Sequence, residues 1–133
     1  MPKSHKLRKP KEFRVVYENG RRYDARLMSV FAMPNNLANH RLGITASRKG
    51  IGNAVQRNRA KRLLREAFRL SKIELEQLRE KYDFVCNAKR GLLKIKMQAA
   101  MSEFQYLVAK VLKNEKIKDE QQNVVENNQT SSS

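Results

Sequence analysis

Residues 53–69 read Asn53-Ala-Val-Gln-Arg57-Asn58-Arg59-Ala60-Lys61-Arg62-Leu63-Leu64-Arg65-Glu66-Ala67-Phe68-Arg69. On a helix turning about 100° per residue, Ala60, Leu63, Leu64, Ala67 and Phe68 form one continuous apolar face. Arg57, Lys61, Arg62, Arg65 and Arg69 fall on an adjoining face, and Arg59 lies beyond the other edge of the apolar stripe. Asn53 suits the N-cap, since its side chain can accept from the free N–H groups of the first turn, and the helix is expected to run to about Leu70. One face docks on a sheet while the other presents a comb of cations. A surface helix normally mixes signs and gains from i,i+4 ion pairs. Here Glu66 is the only acid among six basic residues from Arg57 to Arg69. Like charges at that spacing, such as Arg57 with Lys61, cost roughly a few tenths of a kcal/mol each. An external polyanion relieves that repulsion, and the arginine fork matches phosphate with two parallel hydrogen bonds. Asn58 can pair with base edges or 2′-hydroxyls. RNA, DNA and plain solvent remain open for this face.

Upstream, residues 41–47 alternate: Leu42, Ile44 and Ala46 point one way, Arg41, Gly43, Thr45 and Ser47 the other, as in a half-buried strand with a polar second face. Arg48-Lys49-Gly50-Ile51-Gly52 makes a flexible basic turn between strand and helix. Residues 10–19 suit a short helix with Phe13, Val16 and Tyr17 on one face and Gly20 as its stop. Residues 21–34 suit extended structure ending at Pro34. Downstream, 73–80 suits a short helical stretch, 82–88 a strand, and 97–112 a helix with Ala100, Met101, Phe104, Leu107, Val108 and Val111 on one stripe. The order α-β-β-β-α-β-α predicts an α+β sandwich: helices packed on a small central sheet.

The 133 residues carry 29 lysines and arginines against 13 acids, a net charge of +16. The excess is concentrated. Residues 1–26 hold nine basic and three acidic side chains, 27–40 hold none of either, and 41–72 hold ten against Glu66 alone. A surface so charged calls for a polyanionic partner. The length suits one domain. Residues 1–8 read as a flexible basic arm, 9–113 as the domain, and the Asn-, Gln- and Ser-rich stretch 114–133 as a disordered tail. The lone Cys86 excludes an internal disulfide and a cysteine-based zinc site, and fits a small buried hydrophobe. His5 and His40 have no visible partner for acid–base work. The carboxylates are scattered, with Glu74, Glu76 and Glu80 fitting a solvated helix edge, so neither a metal site nor a catalytic residue is assigned. The N-terminus has no apolar stretch of a secretory signal, and the longest apolar run, 27–33, is far short of the ~20 residues of a membrane span. A soluble protein, without membrane contact, is expected.

The run Arg57-Asn58-Arg59-Ala60-Lys61-Arg62-Leu63-Leu64-Arg65-Glu66, led in by Ser47-Arg48-Lys49 and Gly52-Asn53-Ala54-Val55, resembles the signature of the bacterial ribonuclease P protein subunit. Phe13 and Tyr17 match the aromatic pair of that family's first helix, Phe31 an aromatic on a following strand, and Leu42-Gly43-Ile44 the strand before the signature; the likeness extends over roughly residues 6–112. Gly50 stands as an extra residue against the family pattern. The resemblance implies a cytoplasmic cofactor of a catalytic RNA, monomeric and one per RNA, within an endoribonuclease that frees the tRNA 5′ end. The RNA would carry the chemistry and its magnesium. It also implies a mixed sheet with a left-handed βαβ crossover. On this likeness Arg48, Lys49, Asn53, Arg57, Asn58, Arg59, Lys61, Arg62 and Arg65 would bind the catalytic RNA. Phe13, Arg14, Tyr17, Phe31, Lys89 and Arg90 would hold the 5′ leader of precursor tRNA in a cleft between the sheet and the first helix.

By pattern alone those aromatics would more often be core; the resemblance moves Tyr17 and Phe31 to an open cleft, where bases stack on exposed rings. The alternative is a ribosomal or other structural RNA-binding protein with no part in tRNA processing. A DNA regulator of helix-turn-helix type fits poorly, because a strand precedes the turn where a helix is required.

Overall fold

The computed structural model describes residues 3–131. Helix α1 spans Pro10–Asn19, strands β1, β2 and β3 span Arg21–Asp24, Met28–Pro34 and Arg41–Thr45, and helices α2 and α3 span Ala54–Leu70 and Lys72–Glu76. Strand β4 follows at Tyr82–Ala88 and helix α4 at Met97–Ser131, with 3-10 turns at Lys3–His5 and Arg90–Lys94. The α+β sandwich is the observed architecture.

The sheet order is β1-β2-β4-β3. β2 is antiparallel to β1 and to β4, whereas β3 runs parallel to β4 and reaches it through α2 and α3. Of the rungs that cross the whole sheet, two lie on the α1 face: Arg22, Phe31, Val85 and Gly43, then Asp24, Ser29, Asn87 and Thr45. Successive side chains of a strand face opposite ways. Met28, Val30 and Ala32 of β2, with Tyr82, Phe84 and Cys86 of β4, join the main core under α2 and α4. Within it Phe84, Phe68 and Phe104 meet edge-on at centroid distances of 6.0–6.4 Å. On the other face Val85, Phe31 and Met33 pack with Leu7, Phe13 and Val16 under α1.

Residues 21–34 form two strands, as the α-β-β-β-α-β-α order requires. The Ala25 N–H donates to the Met28 carbonyl at 3.0 Å, closing a turn that buries Leu27. The second face of β3 is less polar than alternation suggests, because Gly43 lies beneath α1; a Cβ there would stand 2.6 Å from the Phe13 ring. The arm is pinned at its inner end: Lys6 bridges to Leu42, Leu7 donates to the Leu42 carbonyl at 3.0 Å, and Leu7 is buried. α4 continues to Ser131, and Glu115 is buried, accepting from Tyr82 Oη at 2.6 Å and from the N–H groups of Arg79 and Glu80 at 3.0 and 3.2 Å. Residues 1–2 and 132–133 of arm and tail lie outside the described residues.

His40, read from sequence as partnerless, is buried between two backbones. Its Nδ1 accepts from the Tyr82 N–H at 3.0 Å, which leaves Nε2 to donate to the Leu75 carbonyl, also at 3.0 Å. Burial lowers its pKa, outweighing the opposing pull of the Leu75 carbonyl. The unfolded chain therefore binds a proton that the folded chain refuses. The stability from His40 is complete above about pH 6.5 and is lost as pH falls, by at most about 1.4 kcal/mol per pH unit. Urea unfolding between about pH 7.5 and pH 5 should show this loss in the native chain. A His40→Gln variant should be less stable at neutral pH and should lack that component of the slope.

Candidate nucleic-acid interface

The ridge on α2 starts from its cap. Asn53 Oδ1 accepts from the Gln56 N–H at 2.9 Å, and Gln56 Oε1 accepts from the Asn53 N–H at 3.0 Å. Such a reciprocal cap stabilises a helix start by about 1 kcal/mol. Gly52 takes a φ of 132°, a region closed to most side chains, and Ile51 is buried beside it. Gly50 is absorbed in the same turn: its N–H donates to Ser47 Oγ at 2.9 Å, and Arg48 and Lys49 stay exposed.

Ala60, Leu64, Ala67 and Phe68 bury the apolar face. Asn58, Arg59, Arg62 and Arg65 are exposed, and Lys61 is half-buried. Arg57 turns back to donate to the Gly52 carbonyl at 3.1 Å and so braces the turn. Glu66 pairs with Arg69. Among the described residues, no ion pair involves Arg48, Lys49, Arg57, Arg59, Lys61, Arg62 or Arg65. The ridge is thus uncompensated. At the β3 edge, Lys6 and Arg8 of the arm face Lys61 and Arg65 across a recess of about 300 Å³ that also touches Phe13 and Ile44.

The second feature lies under α1 on the opposite face of the sheet. Tyr17 is exposed and meets Phe31 edge-on at 4.8 Å, while Phe13 and Phe31 are half-buried. Tyr17 Oη donates to Asn87 Oδ1 at 2.8 Å, and Thr45 Oγ1 donates to the same atom at 2.6 Å. The Arg22 guanidinium stands 5.6 Å from the Phe31 ring centroid and is held by Asp24 at 3.0 Å. The Ser29 hydroxyl, and after it Arg22, hold the Asp24 carboxyl below its ordinary pKa. Lys89 donates to the Ala25 carbonyl at 2.6 Å and lies 3.9 Å from Asp24, so it borders this groove. Arg14 and Arg90 are exposed, but neither bonds to the cleft residues among those described.

Sequence reasoning missed Arg22, Ser29, Thr45 and Asn87 in the groove, and Lys6 and Arg8 opposite the ridge. The period-2 alternation around Phe31 carried a signal for Ser29, as that of residues 41–47 did for Thr45. The others depend on strand order and register.

Cys86 is buried, which pushes its thiol up to about 12. Among the described residues no group of three or more His, Cys, Asp or Glu side chains could hold a metal, and no helix is long and apolar enough to cross a membrane.

The mixed sheet, the unpaired basic helix and the aromatic groove define a small α+β protein of the nucleic-acid-binding class. A family profile described as Ribonuclease P matches residues 1–112. The chain is 51% identical over 74 residues to the ribonuclease P protein component of Methylococcus capsulatus, which covers 56% of this chain and 58% of that relative. It thus spans less than two thirds of that relative's length. It is 36% identical over 110 residues to the ribonuclease P protein component of Syntrophus aciditrophicus, covering 83% of this chain and 89% of the relative. The solved RNase P protein of Staphylococcus aureus superposes with a TM-score of 0.69 at 28% identity, over 83% of this chain and 99% of that one. The chain belongs to the ribonuclease P protein family.

Because the ridge makes no internal ion pairs, Arg62→Ala and Arg65→Ala should each change unfolding free energy by less than about 0.5 kcal/mol. Arg41 is the contrast. It grips the buried Asp83 with two bonds of 2.8 and 2.7 Å and reaches Glu12 at 3.1 Å. Arg41→Ala would leave Asp83 charged and unpaired, at a cost of about 3–5 kcal/mol measured by denaturant unfolding.

Proposed function

We propose that this chain is the protein subunit of ribonuclease P, in which the α2 ridge binds the catalytic RNA and the α1 groove holds the single-stranded 5′ leader of precursor tRNA. The carrying observation is the uncompensated charge of Arg59, Lys61, Arg62 and Arg65 on a rigid, capped helix. Phosphates would neutralise these groups without breaking any internal pair, so assembly leaves the fold intact. Arg48, Lys49 and Asn58 extend the same contact, and Arg57 and Asn53 keep the turn in place.

In this reading the leader lies over Tyr17 and Phe31. Base–aromatic stacking contributes about 1–3 kcal/mol per base, and cations at the groove edge follow the phosphates. Phe13 supports the groove floor from the core side, and Lys89 sits at its rim, with Arg14 and Arg90 as further rim cations. Magnesium, which in this reaction supplies charge stabilisation and an activated water, belongs to the RNA. The described carboxylates of this chain do not cluster to hold it, and Glu12, Asp83 and Glu115 are already bonded to protein groups. The protein's own work is to bind and orient the RNA strands.

Reconstitution tests this directly. Added to a bacterial ribonuclease P RNA at low magnesium, the chain should raise cleavage of precursor tRNA at the mature 5′ end. The gain should be larger for substrates with a leader of several nucleotides than for those with one. No gain, or equal gain with both, would reject the reading in favour of a purely structural RNA-binding role.

The contact should also be strongly salt-dependent. Log affinity for RNA should fall linearly with log salt, by roughly 0.7–0.9 per phosphate neutralised. Arg62→Ala and Arg65→Ala should each flatten that slope by about one phosphate's worth.

A further inference from the structure

A recess of about 910 Å³ lies along α2 and is bordered by α3, the loop before β3 and the arm. Its size is that of a ligand site rather than a packing gap. Arg59, Arg62 and Arg65 line it and also stand on the exposed ridge, so recess and ridge share their cations.

The lining divides by chemistry. Leu63, Phe68, Leu75 and Met97 supply apolar walls. His40 lies among them, and both its ring nitrogens are bonded to backbone, so only ring carbons are left to face the recess. The mouth is cationic. Two acids reach it, but Glu66 is paired with Arg69, and Glu76 lies 3.9 Å from Lys72. Among the described residues, Arg59, Arg62, Arg65 and Lys81 make no ion pair.

The matching ligand has an apolar body and an anionic group beside it. A helical RNA offers the ridge mainly phosphates and 2′-hydroxyls, because its major groove is too narrow for side chains to read. An unpaired nucleotide offers both parts at once. Its base has apolar faces that pack on side chains and on guanidinium planes, while its phosphate stays outside on the strand. Turning such a base out of the strand breaks no base pair. With RNA seated on the ridge, the recess opens beside that same strand.

We propose that the recess along α2 binds one unpaired nucleotide of the catalytic RNA, its base between the apolar walls and its phosphate on the arginines of the mouth. The inference rests on the proposed RNA contact of α2 and adds to it a base that the phosphate contacts of the ridge do not read.

The test uses the full chain and a bacterial ribonuclease P RNA from which single bases have been removed at random with the backbone left intact. Bound and unbound RNA are separated, and the missing bases in each fraction are mapped. At one unpaired position, loss of the base should weaken binding by about 5–30-fold, within the range of one stacked base. Two variants fill the recess and keep every ridge arginine: Asn39→Trp in the loop before β3 and Glu76→Trp on α3, both at exposed positions. Each should weaken binding of intact RNA by a similar factor and abolish the sensitivity at that position. Each should also keep the steep salt dependence, since the phosphates neutralised are the same. Either variant serves should the other fail to fold.

Three results would overturn the site while leaving the ridge contact standing: no unpaired position sensitive to base loss, a sensitivity that survives both variants, or saturable binding of free AMP, GMP, CMP or UMP that both variants abolish while no position in the RNA is sensitive. The last would assign the recess to a free nucleotide. Absence of salt-dependent binding to the RNA would overturn the α2 reading, and the site with it.

Discussion

Strand β4 is covered on both faces, and the rest of the molecule is arranged by that constraint. Phe84 and Cys86 point into the core under α2 and α4, while Val85 points into the smaller cluster under α1, and all three are fully buried. A strand apolar on both sides needs a layer on each. α2 and α4 supply one and α1 the other. The two proposed binding surfaces follow, because the outer side of α2 becomes the ridge and the uncovered end of the α1 face becomes the groove. At the start of β4, Asp83 ties the strand to Arg41 of β3 and to Asn35, so the edge strand, the loop before it and α1 through Glu12 share one polar anchor.

Charge is sorted with the same economy. Many described acids are bonded to protein groups: Glu12 and Asp83 to Arg41, Asp24 to Arg22 and Ser29, Glu103 to the Leu27 N–H, and Glu115 to Tyr82 and two backbone N–H groups. Glu66, the one acid on α2, is taken by Arg69 near the helix C-terminus. Among the described residues, no acid pairs with the middle of the helix. Self-repulsion there persists in the free protein and would disappear against phosphate, which suits the proposed RNA contact at small cost to folding.

Much of this was legible in the residues. The 3.6-residue period of 53–70 located α2, its cap and its apolar face, since local backbone geometry and amphipathicity are set within one segment. The alternation of 41–47 and the strand pattern of 82–88 located two of the strands. The likeness of residues 47–66 to a family signature supplied the class of partner, which periodicity alone left open between RNA, DNA and solvent. The pairing of Glu115 and Asp119 was hidden, because their partners, Arg79, Glu80 and Tyr82, lie more than thirty residues away. His40 misled for the same reason: its partners, Leu75 and Tyr82, are remote in sequence.

The amino-acid sequence by itself determined the helices, the strands, the position of the positive charge and the family, because each depends on near neighbours or on a contiguous motif. Tertiary structure alone decided which groups share a rung. Asn87 meets Tyr17 and Thr45 only because β3 lies parallel beside β4 while α1 crosses the same face, and Gly43 makes room for Phe13 only in that register. A period of two tells which face a residue takes but not its neighbour across the sheet, since pairing is fixed by strand order and by the burial that a one-residue slip would undo.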